Sequence, residues 1–150
     1  MCTDADQAFF EVQDIFDSAP RERIPKIAVA ADGSVLAFTV SCRVMRRSED
    51  GGETWSEPEE LESGGNVIVD DNTGDVLVVQ PSAGRLLRSG DHGRTWQAED
   101  IRVLPNVMRH GVPGNAPAPV GASESGITVR HGPHKGRLLM PARVQPPRGG

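Results

Sequence analysis

Short apolar stretches recur along the chain in sets of four, each closed by a turn signal. The first set is I-P-K-I-A-V-A-A (24–31), V-L-A-F-T-V-S (35–41), R-V-M-R-R-S (43–48) and T-W-S-E (54–57). The second is N-V-I-V-D (66–70), V-L-V-V-Q (76–80), R-L-L-R-S (85–89) and R-T-W-Q (94–97). Runs of this length, rich in β-branched residues and bounded by Gly, Asp and Asn, predict strands. Asp32-Gly33 between the first two runs is a strong hairpin signal, and D-N-T-G-D holds the same place in the second set. A third set opens after a Pro- and Gly-rich stretch (105–121): G-I-T-V-R (126–130) and R-L-L-M-P-A (137–142) flank the turn H-G-P-H-K-G. The pattern predicts an all-β protein made of tandem four-stranded antiparallel units.

The link between the third and fourth runs is itself repeated. S-E-D-G-G-E-T-W, with Ser48, Asp50, Gly52, Thr54 and Trp55 as fixed points, returns as S-G-D-H-G-R-T-W, with Ser89, Asp91, Gly93, Thr95 and Trp96. An arginine, Arg47 or Arg88, precedes each copy. A period of about forty residues marks a propeller or a solenoid. Glycine permits the positive φ of a tight turn, Asp accepts hydrogen bonds from turn amides, and Trp buries a large ring. These residues are therefore read as structural staples, and Asp50 and Asp91 are not assigned a catalytic role.

About two and a half units are present, whereas propellers close with roughly four to eight blades. The chain thus reads as the N-terminal portion of a larger propeller. Sheet faces left without a neighbour are an association hazard, so self-association through exposed blade faces is expected.

Composition narrows the function. The 150 residues carry a formal net charge of −5, against a nucleic-acid surface, which needs a basic patch. No apolar stretch approaches a membrane span. The N-terminus, M-C-T-D-A-D-Q-A-F-F, shows no signal-peptide pattern, and the compartment stays open. Cys2 and Cys42 have no metal-ligand spacing. Neither a metal nor a cofactor is expected.

R-I-P-K-I-A-V-A-A-D-G-S-V-L-A-F (23–38), followed by R-R-S-E-D-G-G-E-T-W-S-E-P, resembles the start of bacterial exo-α-sialidases (neuraminidases). Their six-bladed propeller opens with R-I-P and carries Asp-box (BNR) turns of S-x-D-x-G-x-T-W type. S-G-I-T-V-R-H-G-P-H-K-G-R-L-L-M-P-A-R (125–143) is similar to that family's third inner hairpin. The resemblance runs from about Phe16 onward. It implies a lead-in over residues 1–20, disordered by expectation, and a partial propeller over 21–150.

In such sialidases the R-I-P arginine is one of three that clamp the substrate carboxylate, which makes Arg23 the candidate for binding a sialylated or other acidic glycan. A planar guanidinium meets a carboxylate in two parallel charge-assisted hydrogen bonds. The remaining machinery is missing from this chain. Sialidases use a tyrosine nucleophile, and the chain has no Tyr. Their acid Asp lies in a loop after the second strand of the first blade, yet no Asp or Glu occurs between Phe38 and Ser48. No catalytic residue is assigned, and the 150 residues alone are expected to be inactive. A non-catalytic glycan- or protein-binding propeller is the alternative.

Other constellations carry less. His131 and His134 flank a Gly-Pro turn and read as an exposed hairpin tip rather than a metal pair. His110 with Glu124 and Ser123 or Ser125 could be drawn as a hydrolase triad, but no nucleophile elbow supports it. Glu124 adjoins an inner strand and is a candidate for the lining of the central cleft.

Overall fold

The computed structural model describes residues 12–16, 24–104, 119–121 and 123–143. β1 (Lys26–Val29), β2 (Val35–Thr39), β3 (Val44–Ser48) and β4 (Glu59–Glu60) form one antiparallel sheet in chain order. β5 (Asn66–Val69), β6 (Val76–Gln80), β7 (Arg85–Ser89) and β8 (Gln97–Asp100) form a second of the same order. β10 (Ile127–Thr128) pairs with β11 (Leu138–Leu139), and β9 (Val120–Gly121) pairs with β12 (Ala142–Arg143). Among the described residues the only helical piece is a 3₁₀ turn at Pro81–Ala83.

The two large sheets repeat one another in register. Val35 faces Ser48 across β2 and β3, and Val76 faces Ser89 across β6 and β7. Both hairpin turns close on a positive-φ glycine, Gly33 (φ 87°) and Gly74 (φ 83°). In the first, the Ala30 amide donates to the Ser34 carbonyl at 2.9 Å and the Asp32 carboxylate accepts the Ser34 amide at 2.9 Å.

Strand alternation distributes the apolar residues between two cores. The first lies between the sheets and takes Ala28, Leu36, Phe38 and Met45 from one side and Val67, Val76, Val78 and Leu87 from the other. Ile68, Leu77 and Leu86 point the opposite way and pack with Leu138 and Met140 of the third hairpin. Burying each larger side chain contributes about 1.5–3 kcal/mol. Gly126 permits the close approach of that hairpin: its amide donates to the Val67 carbonyl at 2.8 Å, and a Cβ there would stand 2.3 Å from Ile68 Cγ1.

The outer strands lie later than the sequence pattern predicts. Runs 54–57 and 94–97 were expected to be strands, but the ladders form at Glu59–Glu60 and Gln97–Asp100. The reason is local: Thr54 and Thr95 are tied back into the preceding turn, so the chain cannot extend until it has passed the tryptophan. The third hairpin pairs where expected but with a short ladder, and β9–β12 has no counterpart in the sequence pattern.

Candidate functional site

The start of β1 borders a cleft of about 360 Å³, whose lining includes Ile24, Lys26, Ser41, Arg43, Asn66 and Arg143. Arg23 itself lies outside the described residues, as do Cys2 and His110. Arg43 and Arg143 are exposed, so two guanidinium groups stand at the cleft with room to meet an anion.

Lys26 is buried although it is the first residue of β1. Alternation puts it on the inward side with Ala28, and there its Nζ donates to the Gly65 carbonyl at 2.7 Å and to Asn66 Oδ1 at 2.6 Å. Asn66 Nδ2 donates onward to the Pro141 carbonyl at 3.1 Å, so one polar chain joins both sheets to the third unit. Burial holds the Lys26 ammonium below its ordinary pKa, against the opposing influence of Cys42 and Glu124. Burial likewise pushes the Cys42 thiol up to about 11, although the Lys26 charge works against it. Lys26, Asn66 and Arg143 were not singled out from the sequence. The signal for Lys26 was available: a lysine on the inward side of an otherwise apolar strand must find acceptors.

The β2–β3 connection at the rim of this cleft is very short. Val40, Ser41 and Cys42 have φ values of 49°, 55° and 65°, and the Arg43 amide closes the turn on the Val40 carbonyl at 3.2 Å. Consecutive non-glycine residues in this region are strained, and the turn carries no carboxylate. Glu124 is exposed and acts on Lys26 electrostatically.

The repeated turns lie at the other end of β3 and β7. In the first, Ser48 Oγ donates to Asp50 Oδ1 at 2.7 Å and accepts the Gly52 amide at 2.8 Å. Asp50 also accepts the Thr54 amide at 2.9 Å and the Thr54 hydroxyl. In the second, Ser89 Oγ donates to Asp91 Oδ1 at 2.8 Å and accepts the Gly93 amide at 2.7 Å, and Asp91 accepts the Thr95 amide at 2.8 Å and the Thr95 hydroxyl at 2.6 Å. The threonine hydroxyl bond is the largest influence holding each carboxyl well below the usual carboxylate range. Such a carboxylate is spent on its own turn and cannot act as a proton donor near neutral pH.

The arginine before each turn reaches back to its own sheet's first hairpin. Arg47 pairs with Asp32 at 3.2 Å and Arg88 with Asp75 at 2.7 Å. Arg47 also donates to the His92 carbonyl at 3.0 Å, and Arg94 pairs with Glu49 at 3.0 Å, which fastens the two turns to each other. Trp96 meets Phe38 edge-on, ring centroids 6.5 Å apart, while Trp55 donates its Nε1–H to Gln13 at 3.0 Å.

The remaining candidates are dispersed. His131 and His134 are exposed, and among the described residues no cluster of His, Cys, Asp or Glu could hold a metal ion. Ser123 and Glu124 are exposed, and Ser125 Oγ reaches the Ile27 carbonyl at 3.5 Å. A larger open groove of about 630 Å³ borders Val69 and residues 126–131, but its charged groups are already engaged: Arg130 and Asp71 pair at 2.7 Å. The smaller cleft, where Arg43 and Arg143 form no ion pair among the described residues, is the better candidate site. Among the described residues no helix is long and apolar enough to cross a membrane.

The chain is similar to a sialidase from Micromonospora viridifaciens, with 27% identity over 164 aligned residues, covering 81% of this chain and 25% of that protein. It therefore spans about a quarter of the length of the curated relative it matches. No family profile matches it. All-β architecture and distant similarity to a sialidase together support a sialidase-like relationship.

Proposed function

We propose that this chain is a portion of a sialidase-like glycoside hydrolase of six-bladed propeller type, and that its contribution is to bind an anionic sugar at the cleft beside Lys26, Arg43 and Arg143. On this proposal the two sheets are blades, the repeated turns are Asp boxes, and residues 21–150 belong to one partial propeller. Arg23, three residues before the buried Lys26, supplies a carboxylate clamp. The supporting observation is the cationic cleft formed where R-I-P enters β1.

Lys26 serves as a positioning residue. Its Nζ is held by Gly65 and Asn66, which fixes the start of β1 at the edge of the cleft. Hydrolysis by the full protein would further require a tyrosine nucleophile, absent from these 150 residues.

A second reading, a propeller that binds but does not cleave, draws support from the Val40–Cys42 turn, which leaves no carboxylate at the place where the family keeps its acid. Calorimetric titration with free sialic acid and turnover of a fluorogenic sialoside separate the two. Binding with turnover by the protein in its full-length setting supports the hydrolase, binding without turnover supports the recognition module, and absence of binding removes both.

A further inference from the structure

The second sheet brings an uncharged donor to the cleft that Arg43 and Arg143 make cationic. β6 ends at Gln80, and Pro81–Ala83 carries the chain away in the 3₁₀ turn, closed by Gly84 in the left-handed region (φ 63°). Gln80 holds the cap position of that turn, yet its side chain makes no capping bond. It meets Ser63 instead, whose Oγ donates to Gln80 Oε1 at 2.6 Å. Ser63 is buried, and the backbone beside it explains its place. Gly65 (φ 147°) passes the end of β6 so closely that a Cβ there would stand 2.2 Å from the Val79 carbonyl oxygen.

The Ser63 bond decides which end of the amide stays available. A glutamine amide has one acceptor oxygen and two N–H donors. With Oε1 committed to Ser63, the unused end is Nε2, which has no hydrogen-bond partner among the described residues. Gln80 is half-buried and lines the cleft, and the exposed Ser82 lines it from the adjoining turn. Among the described residues no carboxylate lines the cleft. Its two sides therefore differ in chemistry. Guanidinium groups come from the first sheet and the third unit, and neutral donors come from the second sheet. A bare inorganic anion has nothing to offer the neutral side, whereas a sugar acid carries hydroxyl and carbonyl oxygens that accept hydrogen bonds.

We propose that Gln80 determines the specificity of this cleft: its Nε2 donates to an uncharged oxygen of the sugar whose acid group the guanidinium side holds. Ser63 is the positioning residue that keeps the amide turned this way. The ligand class is thereby narrowed to a polyhydroxylated acid, with the neutral oxygen and the acid group bound on different sides. This assignment rests on the anionic-sugar reading of the cleft and names the contact that separates a sugar acid from any other anion.

Two probes separate the two sides. Free sialic acid is titrated calorimetrically into the protein in its full-length setting, and inorganic sulfate, an anion with no neutral arm, competes against it. Gln80→Leu should weaken sialic acid by about two- to tenfold, the loss of one neutral hydrogen bond, and leave the sulfate inhibition constant at its wild-type value. Arg43→Ala should weaken both probes. Ser63→Ala should weaken sialic acid alone, and should add nothing once Gln80→Leu is present. Circular dichroism checks the fold. Gln80→Glu replaces Gln80→Leu if that variant loses the β signal; it keeps the shape and an acceptor for Ser63 but sets a carboxylate in the cleft, and should weaken both probes. Unchanged sialic acid affinity in the Gln80 variant, with Arg43→Ala still weakening both probes, overturns the Gln80 assignment and leaves the anionic-sugar reading standing. Equal loss of both probes in Gln80→Leu puts the amide on the acid group and overturns the assignment too. A Ser63→Ala loss that adds in full to that of Gln80→Leu overturns the positioning role. No binding of sialic acid by the wild type, or binding indifferent to Arg43→Ala, removes the cleft reading itself and the Gln80 assignment with it.

Discussion

Lys26 Nζ lies 2.6 Å from Asn66 Oδ1, and these two residues hold the same position, the start of the first strand, in consecutive sheets. A charged and an amide side chain thus occupy sites where alternation would place core residues. Both are buried, and their mutual hydrogen bond satisfies groups that would otherwise be stranded.

Lys26→Met keeps much of the volume but leaves the Gly65 carbonyl and Asn66 Oδ1 without their donor. A buried acceptor left unsatisfied costs about 1–3 kcal/mol. Asn66→Leu should destabilise as well, by also releasing the Pro141 carbonyl. In urea denaturation the double variant should lose less than the two single losses added together, with a coupling of about 0.5–3 kcal/mol. Strict additivity would show that the two side chains act independently.

The turn carboxylates make stability fall in acid. Asp50 and Asp91 are held below their unfolded values, and Asp32 is lowered to about 2, where the Ser34 hydrogen bonds overcome the opposing effect of burial. Depressed carboxyls contribute stability above the unfolded pKa of about 4, and that contribution is lost as pH falls toward the folded values. Asp91→Asn should melt below wild type at neutral pH, and the gap should narrow steadily below about pH 4. A gap that does not change with pH would assign the loss to packing rather than to charge.

The second turn carries a backbone cost that the first does not. His92 has φ 64° where the first copy has Gly51 at φ 79°. A non-glycine residue in this region costs about 1–2 kcal/mol, partly offset by the added freedom of glycine in the unfolded chain. His92→Gly should therefore raise stability by about 0.5–1 kcal/mol. Gly93→Ala should do the reverse: its φ is +88°, and the new Cβ would stand 2.9 Å from both methyl carbons of Leu36. Chemical denaturation of the pair, compared with wild type, should show shifts of opposite sign.

Arg23 is tested by geometry at constant charge. Arg23→Lys should weaken binding of free sialic acid, because an ammonium cannot make the two parallel contacts of a guanidinium, and Arg23→Ala should weaken it more. Loss of one partner of a desolvated charged contact costs about 2–5 kcal/mol. Melting temperatures should stay near wild type. Equal affinities in all three proteins would remove Arg23 from the site.

What could be read from the sequence was what short spacing encodes. Asp32-Gly33 and the two Ser-x-Asp turns are local, closed by hydrogen bonds between residues two to four apart, and strand alternation has a period of two. The outer strands were placed too early because Thr54 and Thr95 have strand propensity but are captured by Asp50 and Asp91. The Asn66–Pro141 bond and the β9–β12 ladder join residues far apart in the chain, and two-residue ladders leave no periodic trace. The cleft was legible only in part. The absence of a carboxylate between Phe38 and Ser48 is plain in the letters, whereas the three left-handed residues of that loop are a matter of backbone angles.

A strand that feeds two cores changes what holds it in place. On β6, Val76 and Val78 enter one core while Leu77 enters the other, so a one-residue slip would exchange apolar side chains between two dry compartments instead of driving them into water. The usual penalty for misregistration is therefore weak here. Alignment falls to features that tolerate no sliding: Arg88 must reach Asp75 across the sheet, and Asn66 must arrive opposite Lys26. The polar residues of this chain act as its ruler, and replacing them with better-packing ones would blur which strand neighbours are correct.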